Sequence, residues 1–130
     1  MKIKDIMTTD LSVCHMETSL QVVSSMLSKN KIGAVTVVDN NRSPLKLITE
    51  QELLAHCLYK DNVLSQYKVS DFINQKELYI CFNDDDINIA LSIMYDRKVS
   101  RLPVANCERS LVGIISLSDI ANHSSVCEYI

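Results

Sequence analysis

Three groups of residues in this sequence have side chains that could act in catalysis, bind a metal ion or cap a helix. Cys14 and His15 place a thiol beside an imidazole, a pairing used in nucleophilic catalysis. Asp84-Asp85-Asp86 offers carboxylates to a metal ion, or negative charge to the start of a helix. Ser116 and Asp119 have the Ser-x-x-Asp spacing of a helix capping box. Catalysis, metal binding and helix capping are therefore the alternatives for these residues.

The surrounding sequence favours neither catalysis nor metal binding. An internal copy of the sequence has Cys81-Phe82 where Cys14-His15 stands, so the duplicated feature is a small buried residue and the histidine is incidental. Three successive carboxylates point in different directions, which suits a helix start better than a metal site. We expect no enzyme activity, no catalytic residue, no bound metal and no resident cofactor.

The composition limits the class of protein. A chain of 130 residues, 47% of them hydrophobic, can bury the core of one domain-sized body. A net charge of -3 and the lack of a basic stripe argue against nucleic acid as a partner. No stretch has the roughly 18 apolar residues of a membrane span. We expect a cytoplasmic protein without membrane contact, in which the five widely spaced cysteines are free thiols (Cys14, Cys57, Cys81, Cys107, Cys127).

An internal repeat is the main signal. At a shift of 67 residues, Val13–Leu53 aligns with Ile80–Ile120 without a gap, and the apolar positions coincide. The opening segments of the two copies, residues 3–7 and 69–73, match at a shift of 66. The sequence therefore predicts a first repeat over 1–58, a connector over 59–67 and a second repeat over 68–124, which together form one module.

Each repeat has the pattern of a β-α-β-β-α unit. Branched residues predict short strands, and apolar residues at helical spacing predict one buried stripe per helix. The predicted strands are Leu11–Cys14, Ala34–Val38 and Leu45–Ile48 in the first copy, and Leu78–Phe82, Leu102–Ala105 and Leu111–Ile115 in the second. A unit of this size is marginal alone. We expect an α/β (α+β) fold in which the two units pack sheet to sheet about a pseudo-twofold axis, leaving two related clefts.

The chain resembles the cystathionine β-synthase-type (CBS) domain family over nearly its whole length. The resemblance is carried by Asp5-Ile6-Met7-Thr8, by Ile32 to Asp39, by Val99 to Val104 and by Leu111 to Ile120, in this order and duplication. It implies a regulatory module that binds an adenosine-containing ligand, AMP, ADP, ATP or S-adenosylmethionine, and signals to an effector protein in trans. It also implies a homodimer, for which Met7, Met26, Ile93 and Met94 are the surface candidates. The alternative is a dimerisation or docking module without a ligand.

The second copy matches the family's binding pattern better than the first. By resemblance, Asp119 would hold the ribose hydroxyls, Ser116 would assist, Gly113 would let the backbone approach and Arg101 would face the phosphates. Adenine would lie against Tyr79, Ile80, Val99 and Ser100. An ionised carboxylate can accept two hydrogen bonds from a vicinal diol. Helix capping by Ser116 and Asp119, a surface ion pair of Arg101 and core packing of the apolar residues remain open.

The first copy departs from this pattern. Lys46 replaces the glycine, Glu52 replaces the aspartate, and Ala34 stands at the position of Arg101. We therefore expect the first-copy site to be weaker. Its candidate residues are Val13, Ile32, Gly33, Thr49 and Glu52.

Overall fold

The computed structural model describes residues 1–30, 33–60, 63–72 and 78–123. The elements of the first copy are β1 (Val13–Cys14), α1 (Leu20–Asn30), β2 (Ala34–Val38), β3 (Pro44–Thr49) and α2 (Glu50–Lys60). A short α3 (Val69–Phe72) follows, and then β4 (Cys81–Phe82), α4 (Ile87–Arg97), β5 (Arg101–Ala105), β6 (Leu111–Ser116) and α5 (Leu117–Asn122). Short 3₁₀ turns cover Ile3–Asp5 and Leu64–Gln66. Within these ranges, no helix has the length and apolarity needed to cross a membrane.

The two repeats form two three-stranded sheets of the same topology. In the order β1-β2-β3, β1 runs parallel to β2, and β2 and β3 form an antiparallel hairpin. The order β4-β5-β6 repeats this arrangement. In each copy the helix between the first two strands allows their parallel pairing, because parallel strands need a crossover connection. The predicted mixed fold of two β-α-β-β-α units is confirmed.

The chain divides into two compact units, and each takes its opening segment from the other repeat. One unit is Ser12–Leu78; the other combines Met1–Leu11 with Tyr79–Ile130. In the unit that combines residues 1–11 with 79–130, the Thr8 N–H donates to the Ile114 carbonyl at 2.8 Å. In the unit Ser12–Leu78, the Val69 N–H donates to the Thr18 carbonyl at 2.8 Å. Sequence repeats and compact units are therefore not the same segments of chain.

The unit Ser12–Leu78 has a core in which α1 covers one face of its sheet. Buried residues recur along α1 at helical spacing, and alternate residues of β2 meet them, as the two periodicities require. The cluster consists of Cys14, Leu20, Val23, Leu27, Val35, Val37, Ile48, Leu53 and Val69. Val69 belongs to α3, so the opening segment of the second repeat is part of this core.

The other unit has a matching core, which includes the N-terminal segment. Its cluster consists of Ile3, Ile6, Cys81, Ala90, Met94, Leu102, Val104, Ile115 and Ile120. Met94 is only 4% exposed, so its assignment to a dimer surface was wrong: its side chain fills this core. Met7, half-buried, packs against the same cluster.

Each carboxylate of the acidic run before α4 has partners of its own. The Asp86 side chain caps the helix by accepting from the Asn88 N–H at 2.9 Å. Asp85 accepts from the Phe82 N–H at 3.1 Å. Asp84 lies 3.0 Å from the ammonium of Lys4, which lowers the pKa of Asp84 below its ordinary value. The helix-start interpretation is confirmed for Asp86. No group of three potential metal-ligating side chains occurs in the part of the chain that the structure describes.

The hairpin turns of the two copies contain the same Arg-Ser pair, Arg42-Ser43 and Arg109-Ser110. Asp39 and its repeat-mate Asn106 each accept two backbone N–H groups through Oδ1, which closes the turn. Arg42 and Arg109 then adopt left-handed backbone conformations, with φ of 64° and 62°. The shared residues therefore mark a shared turn geometry.

The duplicated cysteines are buried at equivalent places. Cys14 lies in β1 and Cys81 in β4, and burial raises the pKa of the Cys14 thiol from 9.0 to about 11 and that of Cys81 to about 12. This confirms the predicted small buried strand residue. Cys57 is half-buried and Cys107 exposed, and all four are free thiols. Cys127 lies outside the described residues.

Candidate ligand-binding site

The second-copy candidates gather at one end of the sheet β4-β5-β6. Arg101 is the first residue of β5 and pairs with Ser116, the last residue of β6. Because β4 runs parallel to β5, Tyr79 and Ile80, which precede β4, enter from this same end. Helix α5 also begins here, with the Leu117 N–H donating to the Ser100 carbonyl at 2.8 Å. The fold thus brings together residues that are far apart in sequence.

Ser116 and Asp119 form the reciprocal capping box of α5. The Ser116 hydroxyl accepts from the Asp119 N–H at 3.0 Å, and Asp119 Oδ2 accepts from the Ser116 N–H at 3.1 Å. The capping interpretation is confirmed. Asp119 is half-buried, and its second oxygen, Oδ1, accepts no hydrogen bond from a described residue. The carboxylate therefore keeps an acceptor for a ligand while it caps the helix.

Arg101 has no acidic partner within the described residues. Its side chain is half-buried, and no ion pair holds it to a carboxylate in the ranges that the structure describes. The surface ion pair, the alternative to phosphate binding, is thus not observed. Its cation remains available at the end of the sheet where α5 starts.

A contact between Tyr79 and Arg97 was not foreseen from the sequence. The Arg97 guanidinium lies over the Tyr79 ring, 4.7 Å from its centroid, in a cation–π arrangement. Arg97 is the last residue of α4 and is exposed. The sequence showed only that an arginine stands shortly before β5, and gave no sign that it contacts Tyr79.

The other apolar candidates have structural roles of their own. Val99 and Tyr79 pack partly buried against the core cluster of their unit. Ile80 is half-buried, whereas Ser100 is exposed. Core packing therefore accounts for part of this surface, and a role in adenine binding remains a prediction.

Gly113 is buried beneath the N-terminal segment. A Cβ atom at Gly113 would lie 2.7 Å from the Met7 sulfur and 3.0 Å from the Thr8 carbonyl oxygen. Thr8 pairs with the neighbouring Ile114 as a β-bridge, which brings the two backbones close. The glycine thus lets the N-terminal segment pack closely, since a Cβ atom would force Met7 to shift. Its contact with a ligand stays a prediction.

The first copy places its equivalent residues at the matching end of β1-β2-β3, but uses them differently. Thr49 pairs with Ala34 in the sheet and caps α2, its hydroxyl accepting from the Glu52 N–H at 3.2 Å. That hydroxyl also donates to Glu52 Oε1 at 3.3 Å. The Lys46 ammonium lies 3.2 Å from Glu52 Oε2. Both oxygens of Glu52 are therefore engaged within the protein.

The structure shows the positions of two of the remaining first-copy candidates. Val13 lies in β1 and pairs with Thr36, and Gly33 is exposed at a bend before β2. Ile32 lies outside the described residues. The carboxylates of the two copies differ as expected. Asp119 has one oxygen that accepts no hydrogen bond from a described residue, whereas both oxygens of Glu52 are engaged within the protein.

The sequence is similar to several curated proteins. It is 26% identical over 104 residues to protein MK0525 of Methanopyrus kandleri, a match that covers 80% of this chain and 52% of that protein. It is 27% identical over 121 residues to protein YlbB of Bacillus subtilis, covering 92% and 80%. It is 25% identical to the homoserine O-acetyltransferase of Methanococcus vannielii, of which it spans 24%. The chain thus spans about half of the first relative and a quarter of the enzyme.

Solved structures share the fold. The CBS domain pair of protein MJ0100, in complex with 5-methylthioadenosine and S-adenosyl-L-methionine, superposes with a TM-score of 0.81 at 20% identity, covering 95% of this chain and 94% of that one. CBSX2 in complex with AMP superposes with a TM-score of 0.78 at 21% identity, covering 98% of both. The cytosolic domain of the Mg²⁺ channel MgtE in complex with ATP gives 0.78 at 20% identity, covering 95% and 48%.

The family model of the CBS domain matches twice, over residues 3–59 and 69–125. These two matches span both β-α-β-β-α units and the sheet ends described above. The chain belongs to the CBS domain family.

Proposed function

We propose that this chain is a regulatory module that binds an adenosine-containing nucleotide at the end of the sheet β4-β5-β6. The observation that carries the proposal is the pairing of an available anion with an available cation. Asp119 caps α5 with one oxygen and keeps the other, while Arg101 opens the adjoining strand without a described acidic partner. A nucleotide has a diol that donates hydrogen bonds and phosphates that accept them, so it complements both groups.

The proposed roles follow from the chemistry of each group. Asp119 Oδ1 accepts from the ribose hydroxyls, and Arg101 pairs with phosphate. The Ser116 hydroxyl, at the start of α5, assists with the ribose or the phosphate. The adenine ring takes the apolar surface of Tyr79, Ile80 and Val99. The MJ0100 pair, CBSX2 and MgtE structures contain adenosine ligands, which supports this class of ligand for a chain of the same fold.

The module is proposed to act on a separate effector protein and to be cytoplasmic, rather than to catalyse a reaction. It is further proposed to form a homodimer through α1 and α4. Val22 and Ile89 occupy equivalent positions on these helices and are 49% and 45% exposed. Met26 and Ile93 follow one helical turn later at equivalent positions; they are half-buried and pack against the two cores, so each helix has one exposed apolar residue beside a half-buried one. Such faces are covered in symmetric dimers.

The first copy supports a second candidate function. Glu52 is engaged by Lys46 and Thr49, so in this proposal the second copy binds the ligand and the first copy serves structure. If the second copy also binds nothing, the exposed helix faces favour a docking or dimerisation module without a ligand.

Thermal unfolding with a panel of ligands tests the proposal. A ligand at 100 times its dissociation constant adds ~2.7 kcal/mol to the stability of the folded state. We expect at least one of AMP, ADP, ATP and S-adenosylmethionine to raise the melting temperature, and Asp119→Asn to reduce that rise. If none of the four raises it, the nucleotide proposal is wrong and the docking module takes its place.

A further inference from the structure

We infer that Arg97 is a specificity-determining residue of this site, and that with Lys98 and Arg101 it selects a nucleoside di- or triphosphate over a monophosphate or S-adenosylmethionine. The inference rests on the proposed function, because it concerns the same end of the sheet β4-β5-β6. It goes beyond that function by naming the charge of the ligand and a residue that the binding pattern does not include.

Three cations lie within five residues at the junction of α4 and β5. Arg97 ends α4, Lys98 adopts a left-handed conformation with φ 55°, and Arg101 opens β5. Among the described residues, none of the three is held in an ion pair with a carboxylate. A single phosphate group carries only about -1.5 to -2 charges. The cations therefore exceed what a monophosphate can pair, and a longer phosphate chain matches them better.

The Arg97 side chain does not take the usual role of a cation at the end of a helix. Cations near a helix C-terminus are commonly explained by the dipole and the free carbonyls. Here the Met94 carbonyl already accepts from the Lys98 N–H and from the Val99 N–H, the latter at 3.1 Å. The Arg97 guanidinium instead lies over the ring of Tyr79, which precedes β4 at the site. The stack keeps the cation beside Tyr79, a residue of the proposed site.

The first copy shows that the fold itself does not require these residues. The positions equivalent to Tyr79, Arg97 and Arg101 are occupied by Ser12, Asn30 and Ala34. The strands, helix and hairpin are formed in both copies, although the aromatic ring and two of the cations occur only in the second. The aromatic and cationic group is therefore specific to one site. S-adenosylmethionine, whose sulfonium and ammonium groups are cations, is disfavoured there.

Titration calorimetry with ATP, ADP, AMP and S-adenosylmethionine tests the inference. For the unmodified protein we expect ATP or ADP to bind about tenfold or more tightly than AMP, the size of one additional charge-assisted hydrogen bond. Arg97→Gln should weaken ATP about tenfold and AMP much less. Arg109→Gln is the matched control: it removes the same charge from the hairpin turn at the other end of β5 and β6, and it should leave the ratio of the two affinities unchanged.

A second pair of variants tests whether the ring of Tyr79 positions the Arg97 guanidinium. Tyr79→Leu keeps an apolar side chain but removes the face on which Arg97 lies, so it should lower the ATP preference, whereas Tyr79→Phe should retain it. Equal affinities for ATP and AMP in the unmodified protein, tighter binding of S-adenosylmethionine, or an unchanged ratio in Arg97→Gln would each overturn the inference while leaving nucleotide binding intact. Absence of binding by all four ligands would overturn the proposed function and this inference with it.

Discussion

The ammonium of Lys46 lies 3.2 Å from Glu52 Oε2, which joins the two residues by which the first repeat departs from the binding pattern. At the equivalent positions the second repeat has Gly113 and Asp119. Gly113 has no side chain that could reach the carboxylate of Asp119. The two departures are thus linked, because the lysine of the first repeat pairs with the longer acid of the same repeat.

This relationship predicts different effects for two matched carboxylate substitutions. Asp119→Asn keeps the size of the side chain but removes the charge-assisted acceptor, so it should weaken nucleotide binding by about 1.5–3 kcal/mol. Glu52→Gln should have little effect on the same binding event, because its carboxylate is already engaged by Lys46 and Thr49. Titration calorimetry on both variants measures the difference. Equal losses would contradict the proposed asymmetry between the repeats.

Gly113→Ala should destabilise the protein through the N-terminal segment. The added methyl group would meet the Met7 sulfur and the Thr8 carbonyl, and overpacking of this kind costs about 1–3 kcal/mol. Met7→Ala in the same chain should recover part of the loss, so the two substitutions should be coupled. Denaturant unfolding of the single and double variants gives the coupling energy. Simple additivity would show that Met7 does not limit the space beside Gly113.

Ser116→Ala removes the hydroxyl that accepts from the Asp119 N–H and should lower the free energy of unfolding by about 1 kcal/mol. Thr49→Ala is the corresponding change at α2 and should cost a similar amount. Urea unfolding measures both. If Ser116 assists a nucleotide as proposed, only Ser116→Ala should also weaken ligand binding; equal binding in both variants would limit Ser116 to its role as a cap.

The cysteines should differ in reactivity toward a thiol reagent at pH 8. Among the four cysteines that the structure describes, Cys107 is exposed and should react first, whereas Cys14 and Cys81 are buried with pKa values raised to about 11 and about 12. Mass spectrometry of the labelled protein, with Cys107→Ser as the control, identifies the sites. Early labelling of Cys14 would contradict its burial.

The same two thiols predict a loss of stability in alkali. Their pKa is higher in the folded state than the ordinary value of 9.0, so the folded state favours the protonated form. The resulting stabilisation is complete below pH 9 and is lost as the pH rises toward the folded values. Cys14→Ala and Cys81→Ala should each flatten the dependence of the melting temperature on pH above 9.

The proposed dimer should depend on the apolar faces of α1 and α4. Val22→Asp and Ile89→Asp place a charge at equivalent exposed positions and should shift the mass by light scattering from twice 14.7 kDa toward 14.7 kDa. Ser28→Asp adds the same charge at another exposed position of α1 and should leave the mass unchanged. A monomeric unmodified protein at all working concentrations would contradict the dimer.

Features set by local chemistry were predictable from the sequence, and features set by long-range register were not. The capping spacing of Ser116 and Asp119 identified the start of α5, because the hydrogen bonds join residues within one turn. The contacts of Arg97 with Tyr79 and of Met7 with Gly113 depend on how separate elements are aligned across the sheet. Periodicity within a segment carries no information about such alignment.

The placement of the opening segments determines which fragments of the chain can fold by themselves. A cut at the connector would give two pieces that each contain one complete sequence repeat but lack a segment of their own core: Val69 would be missing from one piece, and Ile3 and Ile6 from the other. A piece spanning residues 12–78 keeps its whole cluster and is the better candidate for an autonomous fragment. Residues 79–130 would instead need residues 1–11 as a peptide added in trans, so this module is suited to fragment complementation with breaks near residues 11 and 78 rather than between its repeats.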